Sequence, residues 1–167
     1  PAGLGSDTGG SVRNPSAWCG ITGLRPSTKR YSQVGVVPLS WTRDTIGPMA
    51  RSVGDLALLD SVITGEGSIH TAEIRELRLG IDREFFCTDC DPDVLNIFET
   101  EVERLSEAGA EIVDVTIQNL EKNMNQIGQT LTMYEVVRGL TEYLEASGSG
   151  VGLEDLISQV TASGMGE

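Results

Sequence analysis

The sequence predicts an α/β chain. Residues 76–117 read as strand, helix and strand with tight joins, which is a βαβ unit whose two strands should run parallel. Apolar residues also recur at helical spacing over 51–65 and over much of 120–147. With 39% apolar and 22% charged residues in 167, the chain can bury a core and suits one domain or part of a larger one.

The elements follow in order. The first fifty residues are rich in Gly, Pro, Ser and Thr, yet they carry Trp18, Trp41, Ile21 and Leu24. That mixture reads as ordered irregular structure around a site, not as a linker. SVRNPSAWCG, residues 11–20, predicts a short helix interrupted near Pro15 and closing at Gly20. In residues 51–65, Ser52 is a good N-cap with Asp55 three residues on, and Gly65 can end the helix. Val53, Leu56, Ala57, Leu59 and Val62 form its expected stripe. ELRLGID, residues 76–82, alternates Leu77, Leu79 and Ile81 on one face of a strand. Over 91–110, Asp91 caps a helix, Pro92 fits its first position, and Val94, Phe98, Val102 and Leu105 make the buried stripe before Gly109. EIVDVTI, residues 111–117, is the second strand. Residues 120–147 are mostly helical, with Met133, Tyr134, Val137, Leu140 and Leu144 on one side, and GLEDLISQV starts a further helix.

The net charge of −13 is uneven. Residues 1–60 hold six basic and four acidic side chains; residues 61–167 hold six and twenty-one. Such acidity disfavours nucleic acid and anionic membrane as partners and favours solubility. No apolar run approaches the length of a membrane span. Cys19, Cys87 and Cys90 are too few for a disulfide scaffold, which points to a reducing, cytoplasmic setting. Pro1, not Met, stands first, so targeting signals stay open.

GSDTGGS, residues 5–11, carries the chemistry. It is not a Walker A loop, because Ser11 stands where the lysine must be. Thr8 holds the third glycine position of a dinucleotide fingerprint, and neither Ser6 nor Ser11 has both glycines of a hydrolase elbow. What remains is a run of small residues ending in a serine at a helix start. Glycines let several N–H groups point into one spot, and a helix N-terminus adds partial positive charge there. That suits an oxyanion, but the same serine could equally be an N-cap.

GSDTGGSVRNPSAWCGITGLRPSTKR resembles the central motif of the amidase signature family. The pattern D-T-G-G-S-[IV]-R-x-P-[AS], then Cys-Gly, then G-[LF]-[KR]-P-[ST], falls on Asp7 through Arg13, on Pro15 and Ser16, on Cys19 and Gly20, and on Gly23 through Ser27. Residues 42–65 are similar to the segment that follows in the family. Residues 30–65 and TMYEVVRGLTEYL look most like its arylacetamide hydrolases, the indoleacetamide and mandelamide hydrolases. The resemblance implies an α/β fold with a large mixed sheet covered by helices on both faces. It implies hydrolysis of a primary carboxamide to acid and ammonia, with a small aromatic amide as substrate and no metal or organic cofactor. It leaves a homodimer open as the assembly. The alternative enzyme is the tRNA-dependent amidotransferase, of which the chain would be one component; the acidity disfavours it.

The resemblance makes Ser11 the nucleophile and the N–H groups of Thr8, Gly9, Gly10 and Ser11 the oxyanion hole. In the family a lysine, acting through a second serine, takes the nucleophile's proton; both precede D-T-G-G-S. Only six residues precede Asp7 here, and neither Lys29 nor Lys122 sits in that context. The chain is therefore expected to be an incomplete part of one amidase domain: signature region 1–65, βαβ unit 76–117, and a mainly helical, substrate-pocket region 120–167. The other class of reading is a truncated or proteolytic piece without activity of its own.

The remaining candidates carry plainer readings. Asp7 and Arg13 should support the site by ionic hydrogen bonds that stiffen the glycine turn. Met133, Tyr134 and Val137 are candidates for an apolar acyl pocket or for a core face. Cys87 and Cys90 form C-x-x-C but lack two further zinc ligands, so they read as loop cysteines. Cys19 reads as a buried thiol, and the lone His70 as a surface residue.

Overall fold

The computed structural model describes residues 1–67 and 71–162. The expectation for His70 lies outside them. The described residues divide into two units, 1–67 with 129–162, and 71–128.

The first unit contains a three-stranded antiparallel sheet in the order β1-β3-β2. β1 (Ala2–Asp7) pairs along its length with β3 (Thr45–Ala50), from Ala2↔Ala50 to Asp7↔Thr45. β2 (Thr22–Gly23) lies on the other flank of β3. The sequence reading placed irregular structure here, and the structure corrects it. Four of their fourteen residues are glycine, and Pro48 stands in the central strand, so the strand signal was weak. Pro48 keeps its place because its carbonyl still accepts from Leu24 N (3.0 Å).

The missing side chains have a purpose. α1 (Arg13–Trp18) lies close against this sheet. A Cβ on Gly5 or Gly47 would stand 3.2–3.3 Å from the Val12 methyls, and one on Gly23 would overlap the Ser16 hydroxyl at 2.3 Å. Val12 and Ser16 are buried in the space so left. Pro15 does not interrupt α1, contrary to expectation. It sits in the first turn, where an N–H has no helical partner to lose. Cys19 follows the last helical residue and is exposed, not buried.

α2 (Val53–Thr64) begins where Ser52 Oγ accepts from Asp55 N (3.2 Å) and ends at Gly65, whose φ is 71°. Its buried face matches the expected stripe only in part. Val53 and Val62 are exposed, whereas Leu56 and Asp60 are buried. The Asp60 carboxylate explains the rotation: it binds Arg30 through both oxygens (2.8 and 2.6 Å) and accepts from the Tyr31 hydroxyl (2.6 Å). Arg30 and Tyr31 hold the Asp60 carboxyl down at about 2 against the opposing effect of burial. Burial first, and then the bond to Asp60, push the Tyr31 phenol up to about 12. A depressed carboxylate contributes stability above its unfolded pKa of about 4 and loses it as pH falls towards 2. A raised phenol contributes below about 10 and loses it as pH rises through 12. Melting temperature against pH should therefore be flat between those limits and fall on both sides. Tyr31→Phe should soften the alkaline limb, and Asp60→Asn the acid limb.

α5 (Leu120–Ser147) is one long helix, and α6 (Leu153–Ala162) follows it. From residue 129 on, α5 belongs to the first unit. Its buried positions there are Glu135 and Gly139, one turn apart, not the expected apolar side. A Cβ on Gly139 would lie 3.3–3.4 Å from Pro38 and Trp41, so the glycine lets that loop approach the helix.

In the second unit β4 (Arg78–Ile81) and β5 (Glu111–Asp114) pair in parallel, Arg78↔Glu111 to Ile81↔Asp114. Between them run α3 (Arg83–Phe86), which the sequence did not suggest, and α4 (Pro92–Glu107), capped by Asp91 Oδ1 on Asp93 N (2.9 Å). β5 stops short of Ile117 because the Ile117 N–H turns to Asp82 Oδ2 (2.7 Å). Asp82 Oδ1 also caps α3 through Phe85 N (3.1 Å). Arg83 takes both oxygens of Glu99 (2.9 and 3.0 Å) and pairs with Asp114. On α4, Leu95, Glu99, Val102 and Leu105 are half-buried, whereas Val94 and Phe98 of the expected stripe are exposed. Cys87 and Cys90 are free thiols. Among the described residues no cluster of three His, Cys, Asp or Glu could hold a metal, and no helix is long and apolar enough to cross a membrane.

Candidate active site

The serine loop runs from the end of β1 to the start of α1. Its centre is Asp7, fully buried at the last position of β1. Asp7 Oδ1 accepts from Gly10 N (2.7 Å), and Oδ2 from Val12 N (3.2 Å) and Arg13 N (3.3 Å). The Arg13 guanidinium closes a two-pronged pair with the same carboxylate (3.1 and 3.2 Å). Arg25 adds a third cationic contact at 3.0 Å and also binds the Asp7 carbonyl. Burial alone would raise the Asp7 pKa, but Arg13 and the three N–H groups outweigh it and hold the carboxyl far below its usual range. The bond to Asp7 also raises the Arg13 pKa.

This wraps the chain from Thr8 to Val12 around one carboxylate. Gly10 sits at φ 136°, and a Cβ there would meet the Asn14 side-chain amide at 2.9 Å, so only glycine fits. Gly9 and Ser11 stay exposed on the outside of the turn. Of the four N–H groups expected to form an oxyanion hole, that of Gly10 is already committed to Asp7. The N–H groups of Thr8, Gly9 and Ser11 are not bound to that carboxylate.

Residues the sequence did not single out hold the loop from its other side. Thr8 Oγ1 donates to Asp44 Oδ1 (2.5 Å), while Asp44 Oδ2 accepts from Leu39 N and Ser40 N (both 2.8 Å). Ser40 Oγ donates to Glu135 on α5, and Arg25 Nη2 donates to the Arg43 carbonyl (2.9 Å). Arg25 stood in the quoted motif, but spacing alone could not give it a role; Asp44 and Glu135 carried no local signal. Met133, Tyr134 and Val137 lie beside Glu135 on α5, each more than half exposed, and the Tyr134 ring meets Trp41 edge-on at 6.3 Å.

The fold and this loop define a mixed α/β protein that presents a serine on a turn locked by a buried aspartate. The family model named Amidase matches residues 1–167, and the chain belongs to that family. Mandelamide hydrolase of Pseudomonas putida is 38% identical over 162 residues, covering 97% of this chain and 32% of its own length. Indoleacetamide hydrolase of Agrobacterium vitis is 36% identical over 159 residues, covering 95% and 34%. A glutamyl-tRNA(Gln) amidotransferase component of Roseiflexus castenholzii is 42% identical over 132 residues, covering 70% and 27%. Among solved structures, the peptide amidase from Stenotrophomonas maltophilia superposes with a TM-score of 0.82 at 27% identity, over 98% of this chain and 37% of that one. The chain thus spans about a third of the length of the curated relatives it matches.

Proposed function

We propose that the protein hydrolyses a primary carboxamide through an acyl-serine intermediate, and that arylacetamides such as mandelamide and indole-3-acetamide are its substrates. Ser11 Oγ attacks the amide carbonyl. The oxyanion forms against the N–H groups of Thr8, Gly9 and Ser11, ammonia departs, and water cleaves the acyl-enzyme. A lysine acting through a second serine, both N-terminal to Asp7 in the whole protein, takes the Ser11 proton. Met133, Tyr134 and Val137 offer an exposed apolar strip for the aromatic part. The observation that supports this reading is the Asp7 clamp, which holds the turn while leaving Ser11 in the open.

A fluorophosphonate probe should label the whole protein, and Ser11→Ala should abolish labelling and lower ammonia release by roughly 10⁴-fold or more. Labelling that survives the substitution would mean another nucleophile. The amidotransferase reading rests on the 42% identity to the tRNA-dependent relative. The net charge of −13 weighs against it. It requires that glutamine, and not an arylacetamide, be the amide that releases ammonia.

A further inference from the structure

Glu135 is 1% exposed, and its Oε2 gathers the Ser40 hydroxyl, the Thr42 hydroxyl (3.0 Å) and Thr42 N (3.4 Å). All three are neutral donors. The Arg43 guanidinium reaches the Ser40 hydroxyl (3.4 Å). Burying a carboxylate costs several kcal/mol unless hydrogen bonds or a cation replace the lost water. A leucine or glutamine would fill this place on α5 at lower cost. What the carboxylate adds is a strong acceptor for the turn that carries Asp44.

That turn is the link to the loop. The Ser40 side chain is tied to Glu135, while its N–H, together with that of Leu39, fixes Asp44 Oδ2. Asp44 N closes the turn on the Ser40 carbonyl (2.7 Å). Asp44 Oδ1 then receives the Thr8 hydroxyl. Asp7 thus holds the serine loop from inside, and the Asp44 turn holds it at Thr8. Fully satisfied buried networks of this kind rigidify what they touch. We infer that Glu135 is a positioning residue: through the Ser40–Asp44 turn it sets where Thr8, and with it the oxyanion-binding N–H groups, stand. This rests on the function proposed above for the loop, and its test separates the two.

The first measurement needs no activity. Amide hydrogen exchange by mass spectrometry on wild type and Glu135→Ala should show faster exchange in two segments, 38–45 and 8–14. Strands β4 and β5 of the other unit should be unchanged. Quickened exchange confined to 38–45 would overturn the proposal, because Glu135 would then hold only its own turn. The second measurement is kinetic. Glu135→Ala should lower kcat for mandelamide by roughly 10–100-fold with KM within about twofold, the size expected when a reacting group is misplaced by about an ångström. Thr8→Val should give a comparable loss, and the double variant should lose no more than the worse single one. Additive losses would sink the inference, and so would a rise in KM at constant kcat. Glu135→Gln, which keeps the shape and one acceptor oxygen, should recover most of the rate. A wild-type protein that releases no ammonia from any amide would remove the proposed function, yet the exchange measurement would still decide Glu135.

Discussion

Asp7→Ala lowers the unfolding free energy by roughly 3–5 kcal/mol, the penalty for removing one partner from a buried ionic cluster. The loss is large because so much depends on one side chain. The Gly10, Val12 and Arg13 N–H groups and the guanidinium groups of Arg13 and Arg25 all lose an acceptor at once. Several of these sit in a dry interior, where an orphaned donor costs about 1–3 kcal/mol. Arg13→Ala should cost far less, under about 1 kcal/mol, because that side chain is half exposed and water takes over its bonds. Asp7→Asn keeps the shape and one acceptor oxygen, and should fall between the two. Urea denaturation of the three variants checks the order. An Asp7→Ala protein within about 0.5 kcal/mol of wild type would mean that the clamp is incidental. The linkage carries the same sign: a carboxylate held below its unfolded pKa of about 4 stabilises above that value and loses its contribution as pH falls. The Asp7→Ala deficit should therefore shrink in acid.

Gly47→Ala destabilises by about 3 kcal/mol or more, at the upper end of what one methyl group does in a packed interior. Its Cβ would stand 2.2 Å from the Leu24 carbonyl oxygen and 3.3 Å from both Val12 methyls. Side chains can rotate away from a new methyl, but here the obstacle is backbone. Leu24 N is bonded to the Pro48 carbonyl (3.0 Å), so that segment cannot retreat without breaking the tie to β3. Gly3→Ala is the control on the partner strand β1: nothing lies within 4 Å of its Cβ, and the change should be close to neutral. Thermal melts of the two variants measure the contrast, and equal melting temperatures would refute the close approach of the Leu24 backbone to β3. Because Val12 leads straight from Ser11, Gly47→Ala should also slow fluorophosphonate labelling more than its melting temperature alone predicts.

The elements that could be read in advance are those whose information is local. Ser52 caps its own helix, Gly65 and Gly109 end theirs, and the alternation of Leu77, Leu79 and Ile81 marks a strand without reference to anything distant. The serine loop was legible for the same reason. Its glycines, its aspartate and its serine lie within seven residues, and the turn they make is closed by Asp7 on Gly10 and Val12. What came through only in part was which face of each helix is buried: Leu56, Val102, Leu105, Leu140 and Leu144 turn inward as expected, whereas Val53, Val62, Val94, Phe98, Met133, Tyr134 and Val137 do not. α2 turns Asp60 inward to meet Arg30 and Tyr31, α4 turns Glu99 towards Arg83, and α5 turns Glu135 towards Ser40. In each case a carboxylate shares the inward face, and its partner lies between 16 and 95 residues away in sequence. Apolar periodicity cannot report a buried carboxylate and its distant partner.

Sequence alone thus determined the α/β class, the family resemblance and the residues of the serine loop, because caps, turns and motifs are written in neighbouring positions. Tertiary structure decided that Gly- and Pro-rich segments are strands, since their strand character comes from pairing and from the room they leave for Val12 and Ser16. It also decided that the loop hangs between two carboxylates, Asp7 and Asp44, the second anchored through Ser40 to Glu135. Those bonds join residues far apart in the chain, and only the folded backbone brings them within reach.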